Sequence, residues 1–266
     1  MTIKLVALDM DDTLLNDDRQ ISKRNVEAIR RAADQGVLVT IATGRMYCSA
    51  RPYAEMLGID VPLVVYNGGL VKSGQSGEVL FHQPVPIDLA KDVLAFFRAR
   101  NWYVQTYIDD VLYVESLSEK AQAYADYAGV TAMPVGERLF DCEQAPTKIL
   151  GMASSDFVQE MEAAVAQEFG DQLCTASSKA VFLEMVHPQV NKARALSFLA
   201  AKYGIAQSEI MAIGDSGNDV EMLRYAGLGV AMANARPAAK AAAKVVTAGN
   251  NEDGVALAIE KYVLGQ

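Results

Sequence analysis

Short apolar runs alternate with stretches of helical period at both ends of this chain. Ile3–Leu8 reads as a strand and Ser22–Gln35 as a helix, with Ser22 as its N-cap and Gly36 just past its end. Val37–Ala42 follows as a strand, and Leu63–Tyr66 makes a third that stops at Asn67-Gly68. After His187 the rhythm resumes with helix Lys192–Tyr203, strand Ile210–Ile213, helix Asn218–Tyr225 and strand Leu228–Ala231. An Ala-rich helix from Pro237, strand Val245–Thr247 and a last helix near Asp253–Leu264 complete the chain. Continuous apolar strands separated by helices predict the α/β class, a parallel sheet covered on both faces.

Between Gln83 and His187 the order of elements differs. Helix Asp88–Arg100 leads into Tyr103–Ile108, and Asp109-Asp110 then turns the chain into Val111–Glu115, the signature of a hairpin. Helix Ser118–Tyr127 follows, and strand Thr147–Met152, helix Asp156–Phe169 and strands Leu173–Ala176 and Val181–Val186 again place a helix before two strands. Residues 83–187 are therefore expected to form an α+β domain inserted into an α/β core of residues 1–82 and 188–266.

With 266 residues, 51% of them hydrophobic, the chain can bury a large core without staples. Cys48, Cys142 and Cys174 form no close pair and are odd in number, which argues for a reducing compartment and for three buried apolar residues instead of disulfides or zinc ligands. The N-terminus enters a strand directly and no apolar run reaches a membrane span's length, so a soluble, cytoplasmic protein is expected. Residues 83–187 hold 7 Lys and Arg against 16 Asp and Glu, whereas the rest of the chain holds 17 of each. An acidic insertion over a neutral core disfavours nucleic acid and anionic membrane surfaces as partners.

Candidate chemistry lies at two strand ends. Asp9 and Asp11 follow the first strand two positions apart, and on an extended segment both would project to the same side, beyond the strand's carboxyl end. Aspartates there also serve as plain helix caps or turn formers. Ile210–Ile213 likewise ends in Gly214-Asp215, with Asp219 four residues on. Two such ends can build a site for a hard cation such as Mg²⁺, which takes oxygen ligands and commonly binds together with substrate phosphate.

Asp9-x-Asp11-x-Thr13, Thr43-Gly44-Arg45, Lys192 and Gly214-Asp215-Ser216-Gly217-Asn218-Asp219 resemble, in order, the four motifs of the haloacid dehalogenase-like (HAD) hydrolase superfamily. Asn67-Gly68-Gly69, the stretch Gly229–Ala235 and the stretch Asn251–Ala256 are similar to its Cof-type branch. The resemblance implies a Rossmann-like parallel-sheet core with an inserted type IIB cap that selects substrate. It implies a Mg²⁺-dependent phosphatase acting on a small phosphorylated metabolite, with sugar phosphates as the leading class. Asp9 would be the nucleophile and Asp11 the general acid and base. The dehalogenase branch lacks this second Asp, so dehalogenation is disfavoured. Met10 (through its N–H), Thr43, Gly44, Lys192 and Asn218 would bind the phosphoryl group. Asp9, Asp215 and the backbone carbonyl of Asp11 would hold the metal, with Asp219 behind them.

Other features carry less. His82 and His187 have no companion nucleophile, and Gly74-Gln75-Ser76-Gly77 lacks the ending of a nucleotide loop and reads as a hairpin turn. Two rival readings remain, a phosphomutase and a metabolite-binding regulator without turnover. The mutase needs a second phosphate site, for which the insertion has few cations, and the regulator has no use for Asp11.

Overall fold

The computed structural model describes residues 2–58, 60–176 and 179–266. Two compact units are present, Met1–Phe81 with Asn191–Gln266, and His82–Val190.

The first passage through the larger unit runs β1 (Leu5–Leu8), α1 (Lys23–Asp34), β2 (Leu38–Ala42), α2 (Tyr47–Leu57), β3 (Pro62–Val65), β4 (Leu70–Ser73) and β5 (Val79–His82). Helix α1 starts where Ser22 Oγ accepts the Asn25 N–H at 3.1 Å, and it is followed by Gly36 with a φ of 82°. Helix α2 has no counterpart among the expected elements, and it carries Pro52, which lacks a backbone donor, inside it.

The inserted unit contains α3 (Ile87–Ala99), β6 (Val104–Ile108), β7 (Val111–Val114), α4 (Glu119–Ala128), β8 (Ala132–Pro134), β9 (Lys148–Met152), α5 (Ser155–Phe169), β10 (Cys174–Ala176) and β11 (Phe182–Val186). Asp109 and Asp110 both have positive φ, the backbone that a two-residue turn joining β6 to β7 requires. The strands form one sheet in the order β10-β11-β9-β6-β7-β8. Val93 and Phe97 of α3 and Met161 and Phe169 of α5 pack with Val104, Ile149, Leu183 and Met185 of that sheet. Gly151 is needed there, since a Cβ would lie 2.6 Å from the Phe97 ring.

The chain returns through α6 (Lys192–Lys202), β12 (Ile210–Gly214), α7 (Val220–Tyr225), β13 (Leu228–Ala231), α8 (Pro237–Ala242), β14 (Val245–Val246) and α9 (Gly254–Tyr262). A tight turn over Gly217–Asp219 occupies what was expected to be the first turn of α7. The sheet order is β14-β13-β12-β1-β2-β3-β4-β5. From β14 to β3 neighbouring strands are parallel, and β4 runs antiparallel to β3. Every residue of β1 is buried, as a central strand covered on both faces demands.

From β1 the chain builds outward through β2 and β3, and from β12 it builds the other way through β13 and β14. The switch point between β1 and β12 is where open α/β sheets place their ligands. Among the described residues no helix is long and apolar enough to cross a membrane. Among the described residues no disulfide is present; of the three cysteines expected to be buried, Cys142 is, whereas Cys174 is half-buried and Cys48 is exposed near the start of α2.

Candidate active site

Leu8 is paired with Ile213, so the chain leaving β1 and the chain leaving β12 enter the site side by side, and the Asp9 N–H donates to the Ile213 carbonyl at 2.9 Å. Strand β1 ends at Leu8, and the chain coils from Met10 to Leu14. The expected strand alternation therefore does not govern Asp9 and Asp11. The Asp9 side chain is 7% exposed and that of Asp11 is 51% exposed. Asp12 adopts a left-handed φ of 58°, its carbonyl accepting from Asn234 Nδ2 at 2.7 Å, while Asn250 Nδ2 donates to the Leu15 carbonyl at 3.2 Å. Asn234 and the Asn250 loop thus hold the segment that follows Asp9.

Asp9, Asp215 and Asp219 are buried, and one carboxylate oxygen from each lies within 4.8 Å of the other two. Lys192, the first residue of α6, is fully buried and donates to Asp9 Oδ1 at 2.5 Å and to Asp219 Oδ1 at 2.7 Å. The other oxygen of Asp219 accepts the N–H groups of Asp215 at 3.0 Å and Ser216 at 2.9 Å, which fixes the turn after β12. Gly214 makes room for this, since a Cβ there would come 2.6 Å from the Asp219 carboxyl carbon. Thr13 Oγ1 donates to Asp215 Oδ1 at 3.2 Å.

Three carboxylates facing one ammonium leave an excess of negative charge in a buried place. Burial, then the charge of Asp219, pushes the Asp9 carboxyl well above the usual carboxylate range, against the pull of Lys192. Asp215 is pushed up to about 6 by burial and then by Asp219. Burial works against the charge on Lys192, but Asp219 and Asp9 outweigh it and hold the ammonium above its usual range. Only oxygen ligands converge here, a donor set that suits a hard dication such as Mg²⁺.

Asp11 lies outside this carboxylate group. Arg45 grips it in a fork, Nε to Oδ2 at 2.9 Å and Nη2 to Oδ1 at 2.5 Å, with the guanidinium 5.2 Å from the centre of the Tyr53 ring. Thr43 is buried just beyond β2, and its hydroxyl accepts the Arg45 N–H at 3.2 Å. Asn218 is exposed. Its Oδ1 accepts from Ser216 Oγ at 2.5 Å, and its Nδ2 donates to Asn67 Oδ1 at 2.9 Å.

Reading the chain gave Arg45, Thr13 and Asn67 no role. Arg45 and Thr13 stand inside motifs whose other members carry the assigned roles, and Asn67-Gly68 marks a strand stop and part of the Cof-type resemblance. His82 Nε2 is 2.9 Å from Thr147 Oγ1, and His187 Nδ1 accepts the Gln189 N–H at 3.1 Å.

The sequence profile of haloacid dehalogenase-like hydrolases matches residues 6–259. The 5-amino-6-(5-phospho-D-ribitylamino)uracil phosphatase YitU of Bacillus subtilis is 32% identical over 263 residues, covering 97% of each chain. Among solved structures, a haloacid dehalogenase-like hydrolase from Bacteroides thetaiotaomicron superposes with a TM-score of 0.90 at 30% identity, over 98% of this chain and 99% of that one. The HAD subclass IIB sugar phosphatase BT4131 superposes with a TM-score of 0.83 at 25% identity, over 97% and 98% of the two chains.

Proposed function

The chain belongs to the haloacid dehalogenase-like hydrolases and is a phosphatase, and from that premise we propose that it is a Mg²⁺-dependent phosphomonoesterase for a small phosphorylated sugar or sugar alcohol. The observation that carries this reading is the buried group of Asp9, Asp215 and Asp219 around Lys192 at the sheet's switch point. The substrate class draws on two similar proteins, one named for a phosphoribityl compound and one for sugar phosphates.

Asp9 attacks the phosphorus, and the bond to the leaving oxygen breaks as Asp11 gives that oxygen its proton. Asp11 then takes a proton from water, the water oxygen attacks the phosphorus, and the bond to Asp9 breaks to release inorganic phosphate. The Arg45 fork fixes where the Asp11 oxygens lie between these duties. Lys192 holds one Asp9 oxygen, which leaves the other for attack, and Thr43, Gly44, Asn218 and the Met10 N–H receive the phosphoryl oxygens. Asp9, Asp215 and the Asp11 carbonyl would hold Mg²⁺, which when bound neutralises charge on the phosphoryl group.

Choice of leaving group falls to the inserted unit. Three of its cations are engaged in ion pairs, Lys91 with Asp141 at 2.7 Å, Arg98 with Glu137, and Lys148 with Glu184 at 3.0 Å. That leaves few to anchor the second phosphate of a mutase substrate.

The test is phosphate release, with and without Mg²⁺, from a panel of sugar phosphates, polyol phosphates, nucleotides, flavin mononucleotide and pyridoxal phosphate. Metal-dependent release ranked towards sugar and polyol phosphates is expected, and it is abolished in Asp9→Asn. Release that ignores Mg²⁺, or that survives Asp9→Asn, would reject the reading.

A further inference from the structure

Tyr66, Asn67 and Gly68 form an unbroken run of positive φ, at 52°, 56° and 102°, directly after β3. Such backbone is uncommon for any residue but glycine, and a run that includes a buried aromatic side chain persists only where surrounding contacts fix it. Those contacts lead to three separate segments of the active site. The Asn67 N–H donates to the Thr43 carbonyl at 2.9 Å, and the Tyr66 N–H to the Arg45 carbonyl at 3.0 Å. A Cβ on Gly68 would lie 2.4 Å from the carbonyl oxygen of Asn191, the N-cap of the helix that begins with Lys192. Asn67 Oδ1 accepts from Asn218 Nδ2 at 2.9 Å. A Cβ on Gly44 would meet the Asn67 amide at 3.1 Å, so the side chain lies directly over the backbone beyond β2.

We propose that Asn67 is a positioning residue of the phosphoryl site, orienting the Asn218 amide through the bond between Oδ1 and Nδ2 and holding the Thr43-Gly44 backbone beneath its side chain. The inference rests on the reading above in which Thr43, Gly44 and Asn218 receive the phosphoryl group. A side chain that merely filled space would have no reason to accept a hydrogen bond from a residue 151 positions away in sequence. The left-handed backbone aims the amide there, and asparagine is one of the few residues that both tolerates this conformation and carries an acceptor.

Asn67→Gly separates the side chain from the backbone, because glycine keeps the positive φ freely. In full-length protein, the inhibition constant of inorganic phosphate and kcat/KM for p-nitrophenyl phosphate are measured for Asn67→Gly, Asn218→Ala and the double variant, together with melting temperatures. Asn67→Gly is expected to fold with little change in melting temperature, to raise the phosphate inhibition constant about tenfold, the size of one oriented hydrogen bond, and to add almost nothing once Asn218 is alanine.

Unchanged phosphate inhibition in Asn67→Gly overturns the proposal, and so does a loss that adds in full to that of Asn218→Ala. A lowered melting temperature with kinetics per folded molecule intact assigns Asn67 to folding alone and also overturns it. If Asn218→Ala itself leaves phosphate inhibition untouched, the assignment of Asn218 to the phosphoryl group fails, and the proposal falls with it. If Asn218→Ala weakens phosphate while Asn67→Gly does not, only the proposal fails.

Discussion

Lys192 and Lys148 are both buried lysines that meet carboxylates, one in each unit, and they differ in how many acids they face. Lys148 faces one. Its Nζ lies 3.0 Å from Glu184 Oε1, both side chains are under one-tenth exposed, and the Tyr107 ring lies 4.6 Å away. Burial opposes the charge on Lys148, and Glu184 with help from Tyr124 outweighs it, so one ammonium meets one carboxylate in place. Lys192 faces Asp9 and Asp219 directly, with Asp215 alongside. That group cannot cancel itself, and burial, then the charge of Asp219, pushes Asp9 and Asp215 up. A buried ion pair by itself marks no function; buried charge left over calls for a further ion.

The largest break in this comparison is kinetic. Asp9→Asn should lower kcat by more than about a thousandfold, the scale on which nucleophiles matter, while retaining the fold. Activity within tenfold of wild type, on protein of unchanged circular dichroism, would remove Asp9 from the chemistry.

Next in size is Lys192→Met, which strands three carboxylates. Without Mg²⁺ it should lose about 3–5 kcal/mol of stability, as broken buried pairs do, and Mg²⁺ should restore part of that in urea unfolding. A variant as stable as wild type in chelator would show that the acids carry no excess charge.

The apo protein should also lose stability as pH rises. Asp215, raised to about 6 in the folded state, contributes stability that is present below its ordinary carboxylate value and is lost as pH climbs through about 6. Stabilisation by Mg²⁺ should grow over the same window, because the metal binds the ionised acids. Melting curves with chelator and with Mg²⁺ that stay parallel from about pH 4 to 7 would contradict this.

The smallest effect sharpens the contrast. Lys148→Met combined with Glu184→Leu should leave stability within about 1 kcal/mol of wild type or above it, although Lys148→Met alone should cost about 3–5 kcal/mol. A double variant as damaged as the single one would mean that Glu184 has other duties.

Much of the larger unit was legible because its signals are local. Ser22, Gly36 and the apolar runs of β1, β2 and β12 each act within a few residues, so caps, strands and the acids at the strand ends could be read directly. Helix α2 was hidden by Pro52, whose missing donor reads as a helix stop when its surroundings are unknown. The Arg45 fork spans 34 residues and the Asn67–Asn218 bond spans 151, distances over which pattern carries no information. Cys48 followed the habit of its residue type in the reading and not in the fold, where it faces outward. The differing surroundings of Asp9 and Asp11 depend on where β1 ends, and a run of apolar residues does not mark that point to within one residue.

Leu5 of strand β1 pairs with Leu38 of β2, 33 residues on, and with Ile210 of β12, 205 residues on. On the ribosome, at roughly 5–20 residues per second, one edge of the strand that carries Asp9 waits about 10–40 seconds for its partner. During that interval the nascent chain exposes an apolar strand edge of the kind that recruits other strands. The architecture that joins Asp9 to Asp215 therefore also leaves the site incomplete until β12 and the turn after it have been made.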